Sequence, residues 1–375
     1  MKIGIVTPID GGIITTVASS AQVQRSMICA SLSDTATYIR CNERPDDIYV
    51  TIESLKKQGA KIRYDGSGFE VIPIEMPVTG RGFTAAAASN GFAGQNNKGE
   101  YWLSGATAYR SISGLLMTLP ILESDSRITV EGIEEYKTNI EMTIDTLSKF
   151  GVRVETETRS DRGTQYRIAG GQKFKSPGTV EIDGDWTLAS YWLCAAAMYG
   201  SGVICSNLSR TARQSDKEVA DILERFGAIV AFKGDSIAVR PSRLRSIRID
   251  AAVTPDIIPV LAVVASVTEG QTVIYNAERV HLSENGMLHK ISKTLNALGA
   301  DIIENSDGLI IKGKTKLRGG TVSSQGDDHI TMMTAIASGI CEDTVAINDA
   351  EAVNRSYPDF FENFEKLGGR IMKIS

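Results

Sequence analysis

The sequence predicts an α/β protein assembled from five copies of one β-α-β-α-β-β unit, and three observations carry that prediction. The first is a recurring amphipathic helix that stops at a glycine and passes at once into a β-branched stretch. It occurs as IESLKKQGAKI at Gly59, IDTLSKFGVRV at Gly151, ADILERFGAIV at Gly227, SKTLNALGADI at Gly299 and FENFEKLGGRI at Gly368. The glycine supplies the left-handed residue that ends a helix, and the chain then re-enters as a strand. The second is a more apolar helix followed by a strand upstream of each copy: QRSMICASLSD then ATYIRC, YRSISGLLMTLPI then RITVEG, LASYWLCAAAMYG then GVICSNL, DIIPVLAVVASVTEG then TVIYNA, and HITMMTAIASGI then TVAIND. These helices lack a broad polar face, as a helix enclosed by other elements should. The third is a further strand after the glycine turn in four copies: FEVIPI, QYRIAGG, SIAVRPS and LIIKGK.

The glycines are 92, 76, 72 and 69 positions apart, so only the first interval is irregular. Its surplus of about 20 residues is too short for another unit. The surplus falls in EMPVTGRGFTAAAASNGFAGQNNKGEYWLSG, where Ala, Gly and Asn dominate and the periodicity is lost. Residues 75–104 are therefore read as a remodelled connection, with a disordered linker as the alternative.

A chain of 375 residues is long enough for two or three domains with cores of their own. With 42% hydrophobic and 23% charged residues, and a mean hydropathy of −0.07, it has the composition of a folded globular protein. Forty Lys and Arg against forty-five Asp and Glu leave a formal charge of −5, and no basic run tracks a phosphate backbone, which argues against nucleic acid as a partner. The N-terminal MKIGIVTPIDGGIITT has no apolar core of the signal-peptide kind, and the longest apolar stretch, Ile257 to Val267, is too short for a membrane span. The five cysteines are scattered and odd in number, which fits reduced thiols rather than disulfides or a zinc site. A cytoplasmic protein without membrane association is expected.

Repeats of this kind, with a buried first helix and a glycine-terminated second one, resemble the enolpyruvyl transferase fold, and several motifs are similar to those of the EPSP synthase (3-phosphoshikimate 1-carboxyvinyltransferase) family. The similarity is clearest in SGLLMTLPILESDSRITVEG, continuing through FGVRVETE, and in GGQKFKSPGTVEIDGDWTLASYWLCAAAMYGSG. It recurs at the end, in NRSYPDFFENFEKLG. The resemblance implies two lobes of three units each. Carried onto this chain, residues 1–18 with 184–375 form one lobe of three units. Residues 19–183 form the other, with two full units plus the irregular segment, so that this lobe is contracted.

The family reaction moves the enolpyruvyl group of phosphoenolpyruvate to a sugar-like hydroxyl through a tetrahedral intermediate, with loss of phosphate. Two anionic substrates must be held by helix N-termini and cationic side chains in an interlobe cleft, and an acid/base group must move protons. The resemblance implies no metal and no organic cofactor. VASSAQVQR stands where the family has P-G-S-K-S-x-S-N-R: Ser19 and Arg25 match, whereas Ser20 replaces the lysine. SGATAYRSISG places Thr107, Tyr109 and Arg110 on a substrate-binding motif, with Arg110 expected at a helix N-terminus. TPDIIPVLAVV offers Asp256 as the acid/base carboxylate, with Thr254 as a helix cap if the aspartate is merely structural.

RVHLSEN stands for R-V-K-E-[ST]-D-R, putting His281 at the lysine, Leu282 at the glutamate and Asn285 at the final arginine. DDHITMM keeps Asp328 and His329 of N-D-H-R-M-A-M but has Ile330 for arginine, and Arg355 replaces the closing lysine. The resemblance thus makes Asp256, His281 and His329 the candidate catalytic residues. Ser19, Ser20, Arg25, Thr107, Tyr109, Arg110, Asp328 and Arg355 are the candidate substrate-binding residues, and His289 is read as structural.

Three positions that are cationic in the family are neutral in this chain, at Ser20, Asn285 and Ile330, and a charge-assisted hydrogen bond to a bound anion is worth about 1.5–3 kcal/mol. Lys98 or Arg81, in the irregular segment, could make up the charge. Three readings follow. The first is an enolpyruvyl transferase of the shikimate pathway of aromatic amino acid biosynthesis, acting on phosphoenolpyruvate and shikimate 3-phosphate or a related anionic acceptor. The second is a divergent paralogue with another substrate or another addition or elimination, and the third is a non-catalytic binding protein. Small anionic molecules are the expected partners, and a monomer is the expected state.

Overall fold

The computed structural model describes residues 1–41, 46–75, 95–96, 99–131, 137–159, 163–281 and 286–374. The chain divides into two compact units, Met1–Val17 with Asp183–Ser375, and Ala18–Ile182.

The larger unit contains three four-stranded sheets built to one plan. A parallel pair of strands is joined through a buried helix, and a glycine-terminated helix then leads to a hairpin whose second strand inserts beside the parallel pair. In the first sheet Gly11–Thr15 runs parallel to Gly202–Ser206, which pairs antiparallel with Ser236–Arg240, which in turn pairs with Ile229–Lys233. Arg248–Asp250, Gln271–Tyr275, Gly308–Lys312 and Ile302–Asn305 repeat the pattern. In the third sheet Gly320–Ser323 and Val345–Asn348 are the parallel pair and Arg370–Ile374 is the outer strand. The inserted strand is Lys2–Thr7, from the other end of the chain. This explains why only four copies carry a further strand after the glycine turn: the last copy takes its fourth strand from the N-terminus.

The smaller unit has two sheets of the same plan. In one, Thr179–Glu181 lies parallel to Thr37–Arg40, followed by Gly68–Ile72 and Lys61–Tyr64. In the other, Glu100–Ser104 lies parallel to Ser126–Glu131, followed by Gly163–Ile168 and Glu155–Arg159. Part of the segment read as a remodelled connection is regular structure, because Glu100–Ser104 is an inner strand of this sheet and Gln95–Asn96 pairs with it. The alternation in EYWLS buries Tyr101 and exposes Trp102, which is the period of a strand with one wet face. Residues 76–94 and 97–98, with Arg81 and Lys98, lie outside the described residues.

Three helices form the centre of the larger unit: Trp186–Met198, Ile258–Ala265 and Asp328–Ala337. They pack on one another, and nearly every side chain on them is buried, which is why their sequences show no polar face. Each fully buried Leu, Ile or Val contributes about 1.5–3 kcal/mol of transfer free energy. Trp192 stacks on Phe360 at 4.8 Å between ring centroids and ties the helix Phe360–Lys366 to this core. The amphipathic helices lie outside. Val219–Phe226 ends at Gly227, whose φ of 109° is the left-handed conformation that the sequence motif anticipates.

Candidate functional site

The N-terminal ends of the three central helices carry a set of carboxylates. Asp185 caps the helix Trp186–Met198, its side chain accepting from the Leu188 N–H at 3.0 Å. Asp327 caps Asp328–Ala337 in the same way, through the Ile330 N–H at 3.2 Å. Asp256 lies in the one-turn 3₁₀ segment Pro255–Ile257 that leads into Ile258–Ala265, and it is exposed. Thr254 is not the cap expected of it: it makes no capping hydrogen bond, and its Oγ1 is buried without a partner. A short carboxylate before a buried helix satisfies orphan N–H groups, so capping chemistry alone brings acids to these ends.

Around them sits a hydrogen-bonded shell. His329, second residue of its helix, has Nδ1 2.8 Å from the Tyr191 hydroxyl. The Asp328 carboxylate accepts from the Ser356 hydroxyl and lies 3.8 Å from Arg355, whose Nη2 donates to the Gly326 carbonyl at 3.1 Å. Lys290, on the helix Met287–Ala297, reaches Asp327 at 3.0 Å, with both side chains largely out of solvent. Asp216 is buried and accepts from the Thr187 hydroxyl. Beside it, Gln214 accepts from the Trp186 N–H at 2.9 Å and donates to the Gly184 carbonyl at 2.9 Å.

The electrostatics show that these groups feel one another. Burial pushes Asp185 up to about 6, opposed by its helix N–H groups and by the His329 charge. Burial, then the charge of Asp256, pushes Asp216 up to about 8. Tyr191 is raised well above its ordinary value by burial and by Asp328, Asp327 and Asp256. Asp185, Asp216, Asp256, Asp328, His329 and Tyr191 are therefore within electrostatic reach of others in the set, which combines proton donors and acceptors with one exposed carboxylate. Among the described residues no cluster of His, Cys, Asp and Glu is suited to a metal ion.

In the smaller unit Ser19 precedes the helix Ser20–Ser31 without capping it through its hydroxyl, and Ser20 is the first helical residue. The Arg25 guanidinium is tied to the fold, Nε donating to Thr143 Oγ1 at 2.8 Å and Nη1 to the Ala21 carbonyl at 2.8 Å. The helix Gly105–Thr118 follows directly on the strand Glu100–Ser104. Arg110 is therefore the sixth residue of that helix and not at its N-terminus, where it was expected; its own N–H lies beyond the four unsatisfied donors of the first turn. Thr107 and Tyr109 are the third and fifth residues of the same helix, and the side chains of 104–110 lie outside the described residues. His281 ends the short helix Glu278–His281; its side chain, with residues 282–285, also lies outside them. His289 lies 3.3 Å from Glu304 on an exposed face.

Residues 84–364 match the family model of EPSP synthase (3-phosphoshikimate 1-carboxyvinyltransferase). The chain belongs to the EPSP synthase family. A 3-phosphoshikimate 1-carboxyvinyltransferase of Clostridium novyi is 38% identical over 328 residues, 88% of this chain and 69% of the relative. One of Clostridium perfringens is 34% identical over 425 residues, 98% of this chain and 99% of the relative. That alignment is longer than the 375-residue chain, so the relative carries at least 50 residues without a counterpart here. The deficit agrees with one unit of about 70 residues less the surplus of about 20 between Gly59 and Gly151. Among solved structures, EPSP synthase of Acinetobacter baumannii superposes with a TM-score of 0.72 at 18% identity, over 99% of this chain and 100% of that one. The enolpyruvyl transferase NikO of Streptomyces tendae gives 0.78 at 16% identity, over 99% and 98%. Both share the fold.

Four residues around these helix ends were not singled out by the motif resemblance: Asp185, Tyr191, Asp216 and Lys290. Local signals for the first and third were nonetheless present, since DGDW and RQSD put an aspartate just before or within the first turn of a helix. Lys290 gave none, because nothing in MLHKIS distinguishes the lysine that turns inward. Ile330 is fully buried, so the position that is arginine in the family motif is filled by core.

Proposed function

We propose that the chain is an enolpyruvyl transferase, moving the carboxyvinyl group of phosphoenolpyruvate to a hydroxyl of shikimate 3-phosphate or a related anionic acceptor, in the cytoplasm and without cofactor. The observation that supports the reading is the exposed Asp256 at the entrance of one central helix, with Asp328, 3.8 Å from Arg355, and His329 in the first turn of a second central helix that packs against it, in a chain of this family. Asp256 is the acid/base group. It takes the acceptor hydroxyl proton as oxygen attacks the enol carbon; a proton is added to the methylene carbon, which becomes the methyl group of the tetrahedral intermediate, and one is removed from that methyl as phosphate leaves and the double bond re-forms. His329, oriented by Tyr191, is the second proton carrier, with His281 proposed beside it. Arg25, Arg110 and Arg355 are the proposed anion ligands, with Ser19, Ser20, Thr107 and Tyr109 as the proposed polar contacts.

A second reading has specific support. Lys290 and Arg355 are already paired with Asp327 and Asp328, and Ser20 and Ile330 supply no charge. A trianionic phosphoenolpyruvate beside a second phosphate needs more positive charge than that, which favours a divergent acceptor with fewer phosphates.

Phosphate release with both substrates is expected to be weak, and Asp256→Ala should abolish it. Calorimetric titration with each ligand alone and together separates the readings. Ternary binding supports the transferase, and silence with both ligands favours the divergent paralogue or a binding protein.

A further inference from the structure

We propose that Lys290 is a positioning residue for Asp328 and His329, acting through the Asp327 cap that stands immediately before them in the chain. A hydrogen bond makes each step of the connection. Asp327 divides its carboxylate, Oδ2 accepting from the Lys290 ammonium at 3.0 Å and Oδ1 from the Ile330 N–H at 3.2 Å. Its backbone is held as well: the N–H donates to the Ser324 carbonyl at 3.1 Å, and the carbonyl accepts from the Thr331 N–H and hydroxyl at 3.1 and 2.8 Å. Asp328 and His329 are the two residues between Asp327 and Ile330, so what fixes Asp327 fixes their backbone.

The aspartate itself creates the need for the lysine. Asp327 stands where the family motif N-D-H-R-M-A-M has a neutral asparagine, and it is buried. A buried carboxylate without a cation either takes up a proton or turns toward water, and both weaken its hold on the helix N–H. Lys290 supplies the cation from a second element, the helix Met287–Ala297, which packs on Asp328–Ala337. Arg355 is engaged elsewhere, 3.8 Å from Asp328 and donating to the Gly326 carbonyl.

The consequence lies in the partners that Asp328 and His329 must reach. His329 Nδ1 is 2.8 Å from the hydroxyl of Tyr191, on the helix Trp186–Met198. The Asp328 carboxylate accepts from Ser356, which follows the 3₁₀ segment Ala350–Arg355. Both bonds form only while the first turn keeps its place between those elements. The Lys290 ammonium is committed to Asp327, so its part is to set that place. The proposal rests on the reading of His329 and Asp328 as site residues and deepens it, but it can be tested without turnover.

The test is the imidazole ¹⁵N spectrum of the full chain, recorded where circular dichroism shows each variant folded. The chain has three histidines, so His329→Gln assigns the signal and Tyr191→Phe marks its position without the hydrogen bond. Lys290→Met should move the His329 Nδ1 resonance from the wild-type position toward that of Tyr191→Phe. Lys290→Met with Asp327→Asn should return it, because a neutral amide caps Ile330 without a cation. With phosphoenolpyruvate and shikimate 3-phosphate, Lys290→Met should lower kcat for phosphate release roughly tenfold with KM little changed, and the double variant should regain most of the loss. A His329 resonance in Lys290→Met identical to wild type overturns the proposal, as does a double variant no closer to wild type than the single one. If no form of the protein releases phosphate, the transferase reading fails while the resonances still decide Lys290. Should Lys290→Met not fold, Asp327→Asn is compared with the double variant. In the single variant the unpaired ammonium competes with Ile330 for the amide oxygen and should displace the resonance, and equal spectra for the two overturn the proposal.

Discussion

Lys290 shows how one buried charge is retained at the scale of a residue. Its ammonium sits 3.0 Å from Asp327, and the two side chains are 13% and 4% exposed. Neither charge is tolerable there alone, since removing one partner of a buried pair leaves the other unpaired at a cost of about 3–5 kcal/mol. Lys290→Met should lower the stability measured by denaturant titration by that amount, and Lys290→Met with Asp327→Asn should recover part of it, because the neutral amide still caps the helix at Ile330. A single substitution within about 0.5 kcal/mol of wild type would show the pair to be solvated after all.

At the scale of elements, the glycine that ends each outer helix does two different jobs, and they can be separated. Gly227 has φ 109°, and a methyl group there would meet the Arg243 carbonyl at 2.8 Å. Gly66, in a hairpin of the smaller unit, has φ 100° with nothing within 4 Å of such a methyl. Gly66→Ala should therefore cost only the left-handed backbone penalty of about 1–2 kcal/mol. Gly227→Ala should cost about 1–3 kcal/mol more, since backbone must move to admit the methyl. Equal melting temperatures for the two variants would mean that the contact at Gly227 relaxes freely.

At the scale of the whole molecule, chain order and spatial order part company. Lys2–Thr7 is an interior strand, pairing with Val345–Asn348 on one side and Arg370–Ile374 on the other, and it buries Ile3 and Ile5. The larger unit is thus discontinuous, whereas the smaller one is a single stretch with its own core. Residues 18–182 expressed alone should show a cooperative thermal transition. Residues 183–375 alone should not, because they lack the strand that joins two halves of a sheet and would expose unpaired edges. A cooperative transition in the second piece would show that the N-terminal strand is dispensable.

The sequence by itself determined the repeating unit, because helix stops, helix polarity and strand alternation are local and each leaves a mark within a dozen residues. It also made Asp256, Asp328, His329 and Arg355 candidates, since motif resemblance travels with short stretches of chain. What it could not carry is anything that depends on which end of the chain completes which sheet. The missing strand of the fifth unit lies some 340 positions away in Lys2–Thr7, and no local pattern records that pairing. The same holds for charge: Asp185, Asp216 and Lys290 read as ordinary helix residues, and only packing put them out of water beside other charges. Even Arg110 went astray for a local reason, because a strand that runs without a turn into a helix leaves no cap to mark the start. Burial and long-range pairing are properties of the assembled chain, and they decided what each carboxylate at the three helix ends can do.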